Sequence, residues 1–153
     1  SLVVRDIERE FIDLCKSEGV GITPWGPLGG GFLSGKYQPD QRPEAGRLSK
    51  MPVETEEAWH RRATSRNWAI IDAIESIVAA HAGATYAQVA LAWLLNQPQV
   101  ESVILGVRTI EQLEDNLSAA ELELSDAELH MLSEASALAE SYPYRFIETY
   151  GGR

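Results

Sequence analysis

The chain reads as an α/β protein whose parallel strands are joined by helical crossovers. Three observations predict this. Two short apolar runs, Val20–Thr23 and Ser102–Leu105, sit between glycine, proline and polar residues, as buried strands do. Helical patterns fill the space between and after them. A loop with five glycines leaves the first run, between Trp25 and Tyr37. At 153 residues the chain is one domain by size and long enough to bury a core. Two clear strands and a partial one at Ser1–Val4 do not close a sheet by themselves. They make a slice of a larger barrel, and a complete parallel barrel of this kind takes ~250 residues.

Each element has a basis in local pattern. Asp6–Ser17 is amphipathic, with Ile7, Phe11 and Leu14 on one side, Asp6 as the cap and Gly19 as the stop. Cys15 lies on that apolar side, so the reading makes it a buried thiol. Gln38–Val53 carries Pro39, Pro43, Gly46 and Pro52 among polar residues and reads as a long, functional loop. Thr55–Ala82 reads as one helix with a stripe of Trp68, Ile71, Ile74 and Val78. Tyr86–Asn96 is Ala-rich and helical, ended by Pro98. Thr109-x-x-Gln112 and Ser125-x-x-Glu128 are capping-box patterns that open two more helices. The tail from Ser141 to Tyr150 is too aromatic for a freely solvated end.

Composition excludes several classes. With 23 acidic and 13 basic residues the net charge is −10. That disfavours nucleic acid, which needs a basic patch to displace counterions. It equally disfavours an anionic membrane surface, and no apolar run approaches the ~18 residues of a span. A single cysteine rules out a disulfide framework. His60, His81 and His130 stand alone on helices, without metal-ligand spacing, so no metal is expected. A cytoplasmic location is the default expectation.

The glycine loop invites a phosphate reading, because bare backbone N–H groups can approach an anion closely. Gly30-x-x-x-x-Gly35-Lys36 is nearly a nucleotide P-loop, but Tyr37 replaces the magnesium-binding hydroxyl, and Phe32 and Leu33 put bulk inside it. Ser34 lacks the flanking glycines of a nucleophile elbow.

The run Trp25-Gly26-Pro27-Leu28-Gly29-Gly30-Gly31-Phe32-Leu33-Ser34-Gly35-Lys36 resembles a motif of the aldo-keto reductases. There the seventh strand of a TIM (β/α)8 barrel runs into such a loop. Ile104, Gly106, Gln112, Leu113 and Asn116 match the pattern of that family's eighth strand and the helix after it. The segment Ser1-Leu-Val-Val-Arg5 resembles the stretch just after the sixth strand, and Leu124–Leu129 with Tyr142–Phe146 resembles the C-terminal helix and tail.

The resemblance covers essentially residues 1–153. It implies a partial TIM barrel, about strands six to eight with their helices, as one unit. It implies NADPH as cofactor and a small-molecule carbonyl substrate in the complete enzyme. By resemblance Trp25 stacks on the nicotinamide, and Gly26, Leu28 and Gly30 run along the pyrophosphate. Gly106, Val107 and Arg108 line the adenosine phosphate, while Gln112, Asp115 and Asn116 face the adenine. Gly26 stands where the family usually has serine, which removes one side-chain hydrogen bond. Arg108 is the candidate for the 2′-phosphate that separates NADPH from NADH.

The family's catalytic tyrosine, lysine, aspartate and histidine come from the first four strands, and nothing here maps onto them. No catalytic residue is therefore assigned to this chain. Association with itself or with a complementary N-terminal half is the expected partnership. The rival reading is a non-enzymatic acidic α/β interaction or regulatory fragment whose glycine loop is only a turn.

Overall fold

The structure is a computed structural model and describes residues 1–151. Seven α-helices are present among them: α1 (Phe11–Glu18), α2 (Trp59–Arg62), α3 (Ser65–Ala80), α4 (Tyr86–Leu95), α5 (Ile110–Leu117), α6 (Asp126–Ala135) and α7 (Tyr144–Tyr150). Short 3-10 segments add Asp6–Arg9, Gly29–Ser34 and Ser118–Ala120.

The two apolar runs do meet, and they run parallel, but no extended ladder forms among the described residues. Ile22 bridges Val100, and Trp25 bridges Ile104. The Ile22 N–H donates to the Gln99 carbonyl, and the Glu101 N–H returns a 3.0 Å bond to Ile22. The Ile104 N–H donates to Pro24 at 3.0 Å. The expected strands are thus reduced to two isolated bridges. Each run pairs along one edge only, and Pro24 interrupts the first, having no N–H to donate.

The core is built around α4. Apart from Tyr86 and Gln88 in its first turn this helix is wholly apolar, and Ala87 and Val89–Leu94 are all buried, the behaviour of a central helix. It packs against α3, α5 and the Gly29–Ser34 turn, while α6 lies on α3. Leu2, Val3, Phe32, Leu33, Leu48 and Leu132 fill the space between them. The buried face of α3 is Asn67, Ile70, Ile74 and Ile77. Ile74 of the expected stripe is in this face, while Trp68, Ile71 and Val78 lie one position from it, at its flank.

Caps define the helix starts. The Thr85 and Ser125 hydroxyls accept from the N–H groups of Gln88 and Glu128, and both boxes are closed by the reciprocal bond. The expected single helix over Thr55–Ala82 is broken at Ala63–Thr64. Thr64 adopts an extended conformation and caps α3 by accepting from the Asn67 N–H. The first helix is also broken. Glu10 leaves helical geometry between the Asp6–Arg9 turn and α1, and Gly19 closes α1 at a φ of 65°.

Much apolar surface remains uncovered. Phe11 and Leu14 on α1, Ile110 and Leu117 on α5, and Val20, Trp25 and Ile104 along the paired runs are exposed. The side of α1 read as core-facing is thus open, and Cys15 is only half-buried.

Candidate functional site

The first apolar run ends in a sharp turn that needs a special backbone. After Trp25, Gly26 takes a φ of 64° and carries the chain into Pro27 and Leu28. The next turn then breaks at Gly30 and Gly31, whose φ values of 72° and 87° lie in the left-handed region. A side chain there would be strained as well as crowded, since a Cβ on Gly30 would stand 2.9 Å from Leu48 Cδ2. Phe32 and Leu33 point the other way and are fully buried. The Phe32 ring lies 4.8 Å from Trp68 and 6.3 Å from Trp59, within an aromatic cluster that Tyr37 completes. The bulk that spoils a P-loop therefore anchors this loop, with Gly29 buried beside it and Gly30 and Gly31 only partly covered.

The second run passes through Gly106 and Val107 and bends at Arg108–Thr109 into α5. Thr109 caps α5 by accepting from the Gln112 N–H at 3.2 Å. The expected capping box is displaced by one residue, because Gln112 Oε1 accepts from the Arg108 N–H at 3.0 Å and not from Thr109. Gln112 thereby fixes the backbone of Arg108.

Between the two turns lies a cleft of about 730 Å³. All ten residues singled out from the sequence line it: Trp25, Gly26, Leu28, Gly30, Gly106, Val107, Arg108, Gln112, Asp115 and Asn116. Two of them are already engaged in structure. The Asp115 carboxylate accepts from Gln88 Nε2 at 2.9 Å and from the Thr85 hydroxyl at 3.2 Å, so it ties α5 to the start of α4. Asn116 is buried. Trp25, by contrast, is 71% exposed and free to receive a planar group.

Three further charged residues line the cleft that motif reading did not assign: Lys36, Arg47 and Glu57. Lys36 closed the glycine motif without being given a role. Its Nζ stands 2.7 Å from where a Gly31 Cβ would be and 5.1 Å from the centre of the Tyr37 ring. Burial, reinforced by the Arg108 guanidinium, holds its pKa below the ordinary lysine value. Arg47 and Glu57 form an ion pair at 2.7 Å across the long loop. No periodicity or motif marks such a pair in the sequence.

The cleft suits a long, polyanionic, partly planar ligand. Lys36, Arg47 and Arg108 supply positive charge, and bare backbone supplies access. A Cβ on Gly26 or on Gly106 would meet nothing within 4 Å, so both glycines leave open space inside the cleft. Among the described residues no group of three His, Cys, Asp or Glu side chains is placed to hold a metal. None of the described helices is long and apolar enough to cross a membrane.

A fold of this composition, with a cationic cleft between two parallel strand ends, has a recognisable class. The aldo/keto reductase family model matches residues 1–137, and the chain belongs to that family. "Probable aldo-keto reductase 1" of Glycine max is 35% identical over 140 residues, covering 92% of this chain and 39% of that protein. The protein named aldo-keto reductase yakc, with NADP(+) in its name, from Schizosaccharomyces pombe is 34% identical over 145 residues, covering 92% and 41%. The NADH-specific methylglyoxal reductase of Escherichia coli is 29% identical over 142 residues, again covering 92% and 41%. The chain thus spans about two fifths of the length of these relatives.

Proposed function

We propose that this chain is the coenzyme-binding portion of an NADP(H)-dependent aldo-keto reductase that reduces aldehydes or ketones to alcohols. Its two bridged runs and their helices stand for about strands six to eight of a TIM barrel, and residues 1–153 form one unit. The observation that carries the reading is the convergence of both turns, with Lys36, Arg47 and Arg108, on one cleft. The uncovered apolar side of the two runs supports a larger barrel, since such a surface on a small protein otherwise drives association. That surface fits a complementary N-terminal half or a second copy of the chain.

When bound, the nicotinamide supplies a hydride for the carbonyl carbon of the substrate. This chain's residues hold and orient the coenzyme. The exposed Trp25 ring offers a face for the nicotinamide. Gly26, Leu28 and Gly30 offer backbone to the pyrophosphate, with Lys36 as a nearby cation. Gly106, Val107 and Arg108 meet the adenosine phosphate at the start of α5. Gln112 spends its carbonyl on Arg108 and keeps its amide N–H groups for the adenine. Asp115 and Asn116 form the floor beneath it. In this reading none of residues 1–153 is assigned as the acid that protonates the carbonyl oxygen.

Relatives named for NADP(+) and for NADH both match this chain, so coenzyme choice rests on individual residues. Arg108 is the one to test. Charge-assisted bonds to a 2′-phosphate contribute roughly 1.5–3 kcal/mol, or about ten- to a hundredfold in affinity. Calorimetric titration of Arg108→Ala should show that loss for NADPH and almost none for NADH. Equal losses would make Arg108 structural, and no loss for either would take it out of the site.

A further inference from the structure

Two acidic side chains line the cleft, Asp115 and Glu57, and they differ in what they bind. Asp115 is satisfied by neutral donors, Thr85 and Gln88. Glu57 is satisfied by a cation of the cleft itself. Its Oε2 accepts from Arg47 Nε at 2.9 Å and from Arg47 Nη2 at 2.7 Å. One carboxylate oxygen thus takes one edge of the guanidinium that the long loop brings to this site.

The two partners are held very differently. Glu57 is 14% exposed and Arg47 is 58% exposed at the side chain. Ala58, the next residue, is buried, and Trp59 is locked edge-on against Tyr37 and Trp68. The Glu57 charge therefore stays where it is. The backbone at Arg47 is pinned by Leu48, which is fully buried beneath Gly30. The guanidinium is the mobile partner. An ion pair with one side so open to water contributes only about 0–1 kcal/mol, so an arriving dianion can open it.

We propose that Glu57 is an internal competitor for the phosphate groups of the coenzyme, a carboxylate that occupies Arg47 and sets a ceiling on affinity. This rests on the coenzyme reading above. The pair is closed in the structure. On binding, a phosphate takes the Arg47 edge that Glu57 gives up, while the anchored Glu57 charge remains close by and repels it. The device weakens binding and favours release of the coenzyme.

The test separates charge from tethering. Glu57→Gln keeps an oxygen acceptor for Arg47 and removes the charge. Titration of wild type and variant with inorganic pyrophosphate and with NADPH, at two salt concentrations, should show a roughly five- to tenfold gain in affinity for Glu57→Gln and a steeper salt dependence. In an Arg47→Ala background the part of the gain that comes from freeing the guanidinium should disappear, leaving only the smaller relief of charge repulsion. A merely structural Glu57 would lower the thermal midpoint and leave affinity unchanged or reduced, and that outcome overturns the proposal. Should Glu57→Gln not fold, Arg47→Ala in the wild type decides. A loss under about threefold supports a guanidinium already quenched by Glu57. A loss equal to that of Arg108→Ala overturns it. If the wild type and Glu57→Gln both bind neither probe, the coenzyme reading fails and this proposal with it. Unchanged affinity in Glu57→Gln beside a wild type that binds sinks this proposal alone.

Discussion

Gly30→Ala tests whether the cleft-facing loop is held from below. Two costs apply to it. An alanine at a φ of 72° sits in the left-handed region, which costs an L-residue roughly 1–2 kcal/mol. The added Cβ would also stand 2.9 Å from Leu48 Cδ2, and Leu48 is fully buried with no room to retreat. Overpacking of this kind adds about 1–3 kcal/mol. The sum, about 2–5 kcal/mol, corresponds to a fall of roughly 5–15 °C in the thermal midpoint for a chain of this length.

Gly26→Ala is the matched control. Its φ of 64° is equally left-handed, but a Cβ there meets nothing within 4 Å. It should lose only the strain part. In a Leu48→Ala background, where the clashing methyl is gone, Gly30→Ala should cost no more than Gly26→Ala. Thermal and urea unfolding of the four variants, treated as a double-mutant cycle, reads the difference directly. Equal destabilisation by Gly30→Ala and Gly26→Ala in the wild-type background would refute the packing of Leu48 beneath the loop.

Two groups should also show themselves in pH dependence. The Glu128 carboxyl is held below its usual range by the Ser125 hydroxyl and N–H, with His81 at 2.7 Å adding to it. A depressed carboxylate stabilises the fold above its unfolded pKa, about 4.3, and that contribution is lost as pH falls through the folded value. Ser125→Ala should therefore cost about 1 kcal/mol near neutrality, and the gap between wild-type and variant urea midpoints should narrow below about pH 4 to what the hydroxyl contributes by capping the Glu128 N–H. Lys36 runs in the opposite sense. Its pKa is lowered by burial and by the Arg108 guanidinium, and a bound phosphate would raise it. Pyrophosphate affinity should fall as pH rises through the lowered value, with proton uptake measurable by calorimetry in buffers of different ionisation enthalpy. Affinity that is flat up to the ordinary lysine range would remove Lys36 from the site.

What the sequence made legible was local. Thr109 and Ser125 sit at real helix starts because an N-cap is a chemistry of four adjacent residues. The two strand ends could be placed side by side from their motifs, and the cleft residues came with them. Periodicity was less reliable. It located an apolar face on α1 but could not say whether anything covers it, and Phe11 and Leu14 are exposed. It placed Ile74 correctly in the buried face of α3 but took Ile71 and Val78 where Ile70 and Ile77 are buried, because apolar residues occupy both positions. It ran one helix through Ala63–Thr64, where a hydroxyl offers the chain an alternative to the next helical bond. Arg47 and Glu57 were invisible for a different reason. Their pairing depends on how a loop of many residues returns to the cleft, and no short pattern encodes that.

The placement of the tryptophans has an optical consequence. Trp93 is buried, and Trp59 and Trp68 lie tilted within the aromatic cluster, so all three sit in apolar surroundings. Trp25 alone stands out into water, at the lip of the cleft. Its emission is therefore the red component of the spectrum, the one open to iodide or acrylamide. A planar ring laid on Trp25 would extinguish that component and shield it from the quencher, leaving the blue emission of the other three as a constant internal standard. The chain reports on its own cleft without a label.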